Sequence, residues 1–195
     1  MVDPKARLAL EKGLSSLPLY AVAVTIFRME TRSRPPALEV LLYRPKWLEH
    51  AREWMLPETD LQAGSEIDES AERLVQELTS VSVVSATTVT TLPRGKPLNG
   101  AISICTASVG RGARIRRPPK GVDLRFCNFL NLPPMMLENY SKGIYQSLLA
   151  LASNPRDVAL LIQNDRFTVA ELVSAVNVVR RMAGIDGEVD LRNFR

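Results

Sequence analysis

Residues 54–81 read WMLPETDLQAGSEIDESAERLVQELTSV, and the two halves of this stretch follow different rules. Trp54 to Glu66 mixes proline, glycine and charged residues without a period, the composition of a loop. From there Ile67, Ala71, Leu74, Leu78 and Val81 recur three and four positions apart. That spacing gathers them on one side of a helix and predicts a helix over 67–80 with one apolar stripe.

The flanking segments carry a different period. Tyr20 to Arg28 is apolar and rich in β-branched residues, which predicts a buried strand. Met29 to Pro36 is charged and ends in Pro-Pro, a hairpin loop. Leu38 to Tyr43 forms a second strand, closed by Arg44-Pro45. Lys46 to Trp54 leads into the opening stretch as a loop or short helix. Three strand-like runs follow it, at Val81–Leu92, Ala101–Val109 and Leu124–Leu132, and Pro133-Pro134 marks a boundary. The rest is helical. Ala6, Leu10, Leu14 and Leu17 have helical spacing at the other terminus. Tyr140, Ile144, Leu148 and Leu151 form a stripe that stops at Asn154-Pro155, and Val158 to Ile162 continues as a short apolar helix. Thr168 with Glu171 is a capping-box pattern, opening a helix with Leu172, Val176, Val179 and Met182 on one face and an end near Gly184. Asp190 is an N-cap for a further helix.

Composition bounds the function classes. A chain of 195 residues with 46% hydrophobic residues can build one large domain, or one of ordinary size with a small partner. The apolar run Leu19 to Phe27 is too short to span a membrane and lacks the order of a signal peptide, so no membrane partner is expected and the cytoplasm is the expected compartment. Cys105 and Cys127 lie in apolar, strand-like surroundings and are expected to be buried thiols. The single His50 has no Cys/His cluster around it, so zinc chemistry and a histidine triad have no support. A net charge of +4 permits nucleic-acid binding without requiring it. The densest basic patch, Gly110 to Gly121, holds Arg111, Arg114, Arg116, Arg117 and Lys120 but no aromatic for base stacking, and is expected to be a mobile, soluble loop.

Residues 54–81 resemble a Nudix box, a glycine-rich loop and short helix whose core reads Arg-Glu-hydrophobic-any-Glu-Glu. With Arg73 on its arginine, Leu56-Pro57 and Gly64 fall on the loop landmarks, and Thr79 and Val81 on the helix end. Leu74 and Leu78 then stand at two of the glutamate positions and only Glu77 remains. Ser65 replaces the loop glutamate, and Glu58-Thr59 the glycine pair. Magnesium takes hard oxygen ligands, and a leucine offers it no lone pair, so one carboxylate makes a poor site for it. No catalytic residue, metal ligand or cofactor is assigned. The order strand, strand, loop-helix, then several strands is similar to the α/β/α sandwich of the Nudix fold, an α/β (α+β) architecture.

Both ends together resemble the Nudix-related transcriptional regulators, in which a Nudix-like sensor precedes a winged helix-turn-helix. Their C-terminal signature corresponds here to Phe167-Thr168, Glu171-Leu172, Asp190 and Arg192-Asn193-Phe194-Arg195. The resemblance implies a Nudix-like effector domain over 1–137 and a small helical, partial winged-helix domain over 138–195. It also implies a nucleotide-like effector such as ADP-ribose or a sugar derivative, a homodimer, and an operator DNA. The sequence ends at Arg195, early in the implied recognition helix. Arg44, Arg73 and Glu77 are the candidate ligand residues: Arg44 ends the second strand beside the box, where a guanidinium can pair with a diphosphate. Arg73 has an equal alternative as an ion pair holding the box loop. Thr168, Arg192, Asn193 and Arg195 are the candidate DNA contacts, by the chemistry of guanidinium, amide and hydroxyl donors at phosphates and base edges. Trp47 and Trp54 are expected to pack in the core or at its rim rather than to stack on an adenine. Two other functions stay open. One is a divergent hydrolase using Glu58, Asp60 and Glu66; the other is a silent interaction module.

Overall fold

The structure is a computed structural model and describes residues 20–30, 36–45, 53–62, 64–80, 86–93, 100–109, 113–116, 118, 121–135, 138–162, 168–187 and 189. The expected N-terminal helix, His50, Trp47 and the helix beginning at Asp190 lie outside these residues.

A mixed sheet forms the middle layer. Its strands are β1 (Tyr20–Glu30), β2 (Ala37–Pro45), β3 (Glu58–Asp60), β4 (Ala86–Pro93), β5 (Ala101–Ser108) and β6 (Val122–Asn128), in the order β4-β5-β1-β2-β6 with β3 also paired to β1. β1 and β5 run parallel and the other pairs antiparallel. The continuous apolar run in β1 follows from burial on both faces, since Ala21 to Phe27 are all shielded.

The sheet is split in its middle. Phe27–Glu30 pairs with Val40–Ala37, but the other half of β1 pairs with β3, Ala21 opposite Asp60 and Ala23 opposite Glu58. The far end of β2 instead bonds to Met55, whose backbone exchanges hydrogen bonds of 2.9 and 2.8 Å with Tyr43. The segment Trp54–Asp60 is therefore wedged between β1 and β2 and forces them apart.

Helix α1 (Ile67–Leu78) covers one face. Gly64, at φ +84°, makes the turn into it, and Asp68 and Glu69 in its first turn complement the helix dipole. Ala71, Leu74 and Val75 pack on Val22, Val24, Ile26 and Cys105. The opposite face is covered by α2 (Glu138–Ser153), α3 (Pro155–Leu161) and α4 (Val169–Met182). Tyr140, Ile144, Leu148 and Leu151 on α2, Val158 and Leu161 on α3, and Val176 and Val179 on α4 share one apolar core with Ala23, Phe27, Leu42 and Ile104 of the sheet. The backbone of α2 comes so close to β5 that a Cβ on Gly143 would meet Ile104 at 2.9 Å. A buried hydrogen bond of 3.1 Å from Ser147 to Thr25 ties α2 to the neighbouring strand β1. Asn154 caps α3 at Arg156 N, with Pro155 in its first turn, so α2 stops where the sequence places the break.

The basic stretch near Gly110–Gly121 corrects one expectation. Its described part is docked rather than loose. Thr79 bridges to Ile115, Ser80 N donates to Arg114 O at 2.8 Å, and Arg116 N donates to Leu78 O at 2.9 Å. The Arg116 Nε donates to Thr79 O at 2.8 Å. The physical reason lies in α1, whose last turn has no basic residue of its own. Arg116 supplies donors and positive charge to its orphan carbonyls.

Candidate ligand site

Beside the sheet split, Trp54 is buried, with 3% of its surface exposed, and anchored by a 2.8 Å bond from its backbone N–H to Pro134 O. Two guanidiniums lie on its indole: Arg44 at 4.8 Å from the ring centroid and Arg125 at 4.1 Å. Register explains the grouping. Arg44 is opposite Asp123 and Arg125 opposite Leu42, so the three polar side chains share the face on which Leu42 enters the core around Trp54. Arg44 Nη2 donates to Asp123 Oδ2 at 2.6 Å, an ion pair about one-third exposed. Burial pushes the Cys127 thiol up, outweighing the nearby Arg125 guanidinium, which acts in the opposite direction. The ring of Trp54 is thus a floor for cations, in line with the expected core packing.

A second polar contact lies on the same face. Tyr140, completely buried, donates from its hydroxyl to Glu58 Oε2 at 2.6 Å. It joins the wedge segment to the first turn of α2. Burial raises the nearby Tyr43 phenol, and the Glu58 carboxylate raises it further.

Arg73 and Glu77 lie on the solvent side of α1, both exposed, and α1 packs on the sheet face opposite Trp54. The structure therefore brings Arg73 and Glu77 onto one helix face but does not bring Arg44 to them. Leu74, in a box glutamate position, is buried in the core beneath α1, and Leu78 is half-buried against it. Among the hydrolase alternatives, Glu58 is committed to Tyr140, while Asp60 and Glu66 are exposed. Among the described residues no group of three or more His, Cys, Asp or Glu is placed to hold a metal ion.

At the other end of the chain Thr168 forms the full capping box. Its Oγ1 accepts from Glu171 N at 3.2 Å, and Glu171 accepts from Thr168 N at 2.7 Å. Gly184, at φ +68°, ends α4 with Gly184 N to Arg181 O and Ile185 N to Arg180 O bonds, a Schellman closure. The next residues fold back onto the helix. Asn177 Oδ1 accepts from Val189 N at 2.8 Å and its Nδ2 donates to Val189 O at 3.3 Å, while Arg180 donates to the carbonyls of Asp186 and Gly187, both at 3.4 Å. Arg192, Asn193 and Arg195 lie outside the described residues.

Arg125, Asp123, Tyr140 and Asn177 were not singled out from the sequence for these contacts. The alternation Asp123, Arg125, Cys127 did mark one strand face, but which face met Trp54 depended on register.

An α/β/α sandwich with a split mixed sheet and a loop-helix packed on it is the Nudix fold. Solved structures agree. The chain resembles NrtR of Shewanella oneidensis at a TM-score of 0.72 and 16% identity, covering 91% of this chain and 82% of that one. The same protein complexed with a 27mer DNA gives 0.69 at 15%, over 91% and 80%. A MutT/nudix family protein from Enterococcus faecalis gives 0.63 at 15%, over 100% and 85%. The NUDIX domain of NrtR has also been solved with ADP ribose, at 0.53 and 19%, covering 77% of this chain and 94% of that one. No protein-family profile and no curated protein matches the chain. No helix among the described residues is long and apolar enough to cross a membrane.

Proposed function

We propose that this protein is a cytoplasmic transcriptional regulator. Its Nudix-fold cleft binds ADP-ribose or a related nucleotide-like or sugar effector without hydrolysing it, and its C-terminal helices contact operator DNA as part of a homodimer. The observation that carries this is the extent of the likeness to NrtR, which spans 91% of the chain. In this proposal residues 1–137 bind the effector and 138–195 serve the DNA, though α2 to α4 share one apolar core with the sheet. Coupling requires the effector to bind two states of the protein unequally.

Arg44 is the proposed phosphate contact. Arg73 and Glu77 meet an effector only if it also reaches the solvent face of α1. Thr168, Arg192, Asn193 and Arg195 are the proposed DNA contacts, with the last three at the start of the recognition helix. Burial of Leu74 supports the absence of hydrolysis, since an apolar side chain occupies a place where the box has a carboxylate. The test is selection of an operator from a random DNA library with the protein, followed by titration with ADP-ribose. The expected result is specific, salt-sensitive binding that ADP-ribose changes. Absence of any sequence-specific binding defeats the proposal in favour of a silent module.

A second function has one observation in its favour, the likeness to Nudix proteins that are hydrolases, such as an Ap4A hydrolase of C. elegans at a TM-score of 0.55 and 15% identity, over 70% of this chain and 99% of that one. Magnesium-dependent release of AMP from ADP-ribose, lost in Glu77→Gln, would establish it.

A further inference from the structure

We propose that the outer edge of β6 pairs antiparallel with the same edge of a second copy of this chain, about a two-fold axis perpendicular to the sheet at Leu124. This rests on the homodimer proposed above and adds the surface and register through which the copies meet. Three observations support it.

The first is the edge itself. β4 and β6 end the sheet, and among the described residues neither has a strand on its outer side. β4 carries features that keep an edge from pairing: its register shifts between Thr88 and Thr90, and it closes on Pro93. β6 has neither. Its register with β2 runs unbroken from Val122 to Asn128, and it contains no proline. A regular strand paired on one side presents a row of outward N–H and C=O groups that fits another strand.

The second is charge. Charged side chains deter edge pairing when they meet their like, but those of β6 alternate in sign on one face. Pairing about Leu124 sets Asp123 of each copy opposite Arg125 of the other, on the Trp54 face. Arg125 is exposed there, and the Asp123 carboxylate that accepts from Arg44 has lone pairs for a further donor. An axis at Arg125 would instead oppose the two arginines, and an axis at Asp123 the two aspartates. Like charges directly opposite are destabilising, so Leu124 is favoured over both neighbours.

The third is the apolar side. On the α1 face the same register brings Leu124 against its copy and Phe126 against Val122 of the other strand. Leu124 and Phe126 are half-buried at the rim of the core beneath α1, so pairing covers apolar surface that one copy leaves at its edge. Leu130, 67% exposed, adds an apolar side chain in the 3-10 turn just past the strand, Phe129–Asn131.

The experiment is sedimentation velocity over a range of concentrations, on wild type, Arg125→Glu, Asp123→Arg and an equimolar mixture of the two variants. Each variant alone sets like charges opposite one another, whereas the mixed dimer restores both opposite-charge pairs. The expected result is that each variant weakens the dimer about tenfold or more and that the mixture recovers most of the loss. Leu124→Cys gives a second readout. Its thiols meet at the axis, where opposed strand residues lie within the span of a disulfide, so mild oxidation cross-links it and not the wild type. Dimer strength unchanged in both charge variants overturns the β6 pairing and leaves the homodimer to another surface. A mixture no tighter than the variants alone, or no cross-link in Leu124→Cys, also overturns the pairing. Wild type that sediments as a monomer throughout overturns both the pairing and the homodimer.

Discussion

Replacing Tyr140 by phenylalanine isolates the contact that ties the wedge segment to the helical layer. The ring is fully buried and stays in place, and the substitution removes the hydroxyl that donates to Glu58 at 2.6 Å. A hydrogen bond to a charged group contributes about 1.5–3 kcal/mol to stability. Glu58 is half-buried, so water can replace part of the lost donor, which brings the expected cost to about 1–2 kcal/mol. For a chain of this size each kcal/mol lowers Tm by about 2–4 °C. Urea unfolding followed by circular dichroism, on wild type, Tyr140→Phe, Glu58→Gln and the double variant, gives the coupling directly. The expected coupling is about 1 kcal/mol or more, with the double variant little worse than the worse single one. A coupling below about 0.3 kcal/mol, or single losses that simply add, would refute the claim that this bond joins the two layers.

Other expectations follow from packing and burial. Gly143→Ala should destabilise by about 1–3 kcal/mol in the same urea assay, because its Cβ would meet Ile104 at 2.9 Å and α2 must move away from β5. Arg116→Ala should cost about 1 kcal/mol and raise hydrogen exchange at the end of α1, since it removes the donor to Thr79 O. Cys105, whose thiol burial pushes up to about 11, should resist iodoacetamide at pH 8 in the native state and react on unfolding. Because that pKa is raised above the ordinary thiol value of 9.0, the folded form holds its proton longer. Its contribution to stability is then complete below about pH 9 and lost as pH climbs toward 11, which thermal melts of wild type and Cys105→Ala across that range would show.

Periodicity made most of the elements legible. The stripe of Ala71 and Leu74 placed α1, the apolar run of Tyr20 to Arg28 placed β1, and Asn154-Pro155 marked the break between α2 and α3, because each depends on neighbours in the chain. The capping box at Thr168 was visible for the same reason. β3 was not. Glu58-Thr59-Asp60 has no apolar alternation, and it is a strand only because β1 supplies backbone partners. The run expected to continue from Leu124 to Leu132 instead leaves the sheet after Asn128, whose side chain accepts from Leu130 N and starts a 3-10 turn over Phe129–Asn131. The polar side of the site was hidden in a similar way. Arg44 stood out as the last basic residue of β2, but its partners Asp123, Arg125 and Trp54 come from distant segments and are joined by strand register. The docking of Arg116 on α1 was missed because its cause is a helix terminus elsewhere in the chain that lacks a basic residue.

In the proposed function, a Nudix frame binds a nucleotide without cutting it. Incubating the protein with ADP-ribose and magnesium, then measuring bound ligand by calorimetry and its products by chromatography, tests this most directly. Saturable binding with ADP-ribose recovered intact is the predicted result; release of AMP at a rate that falls in Glu77→Gln, or no binding at all, would contradict it.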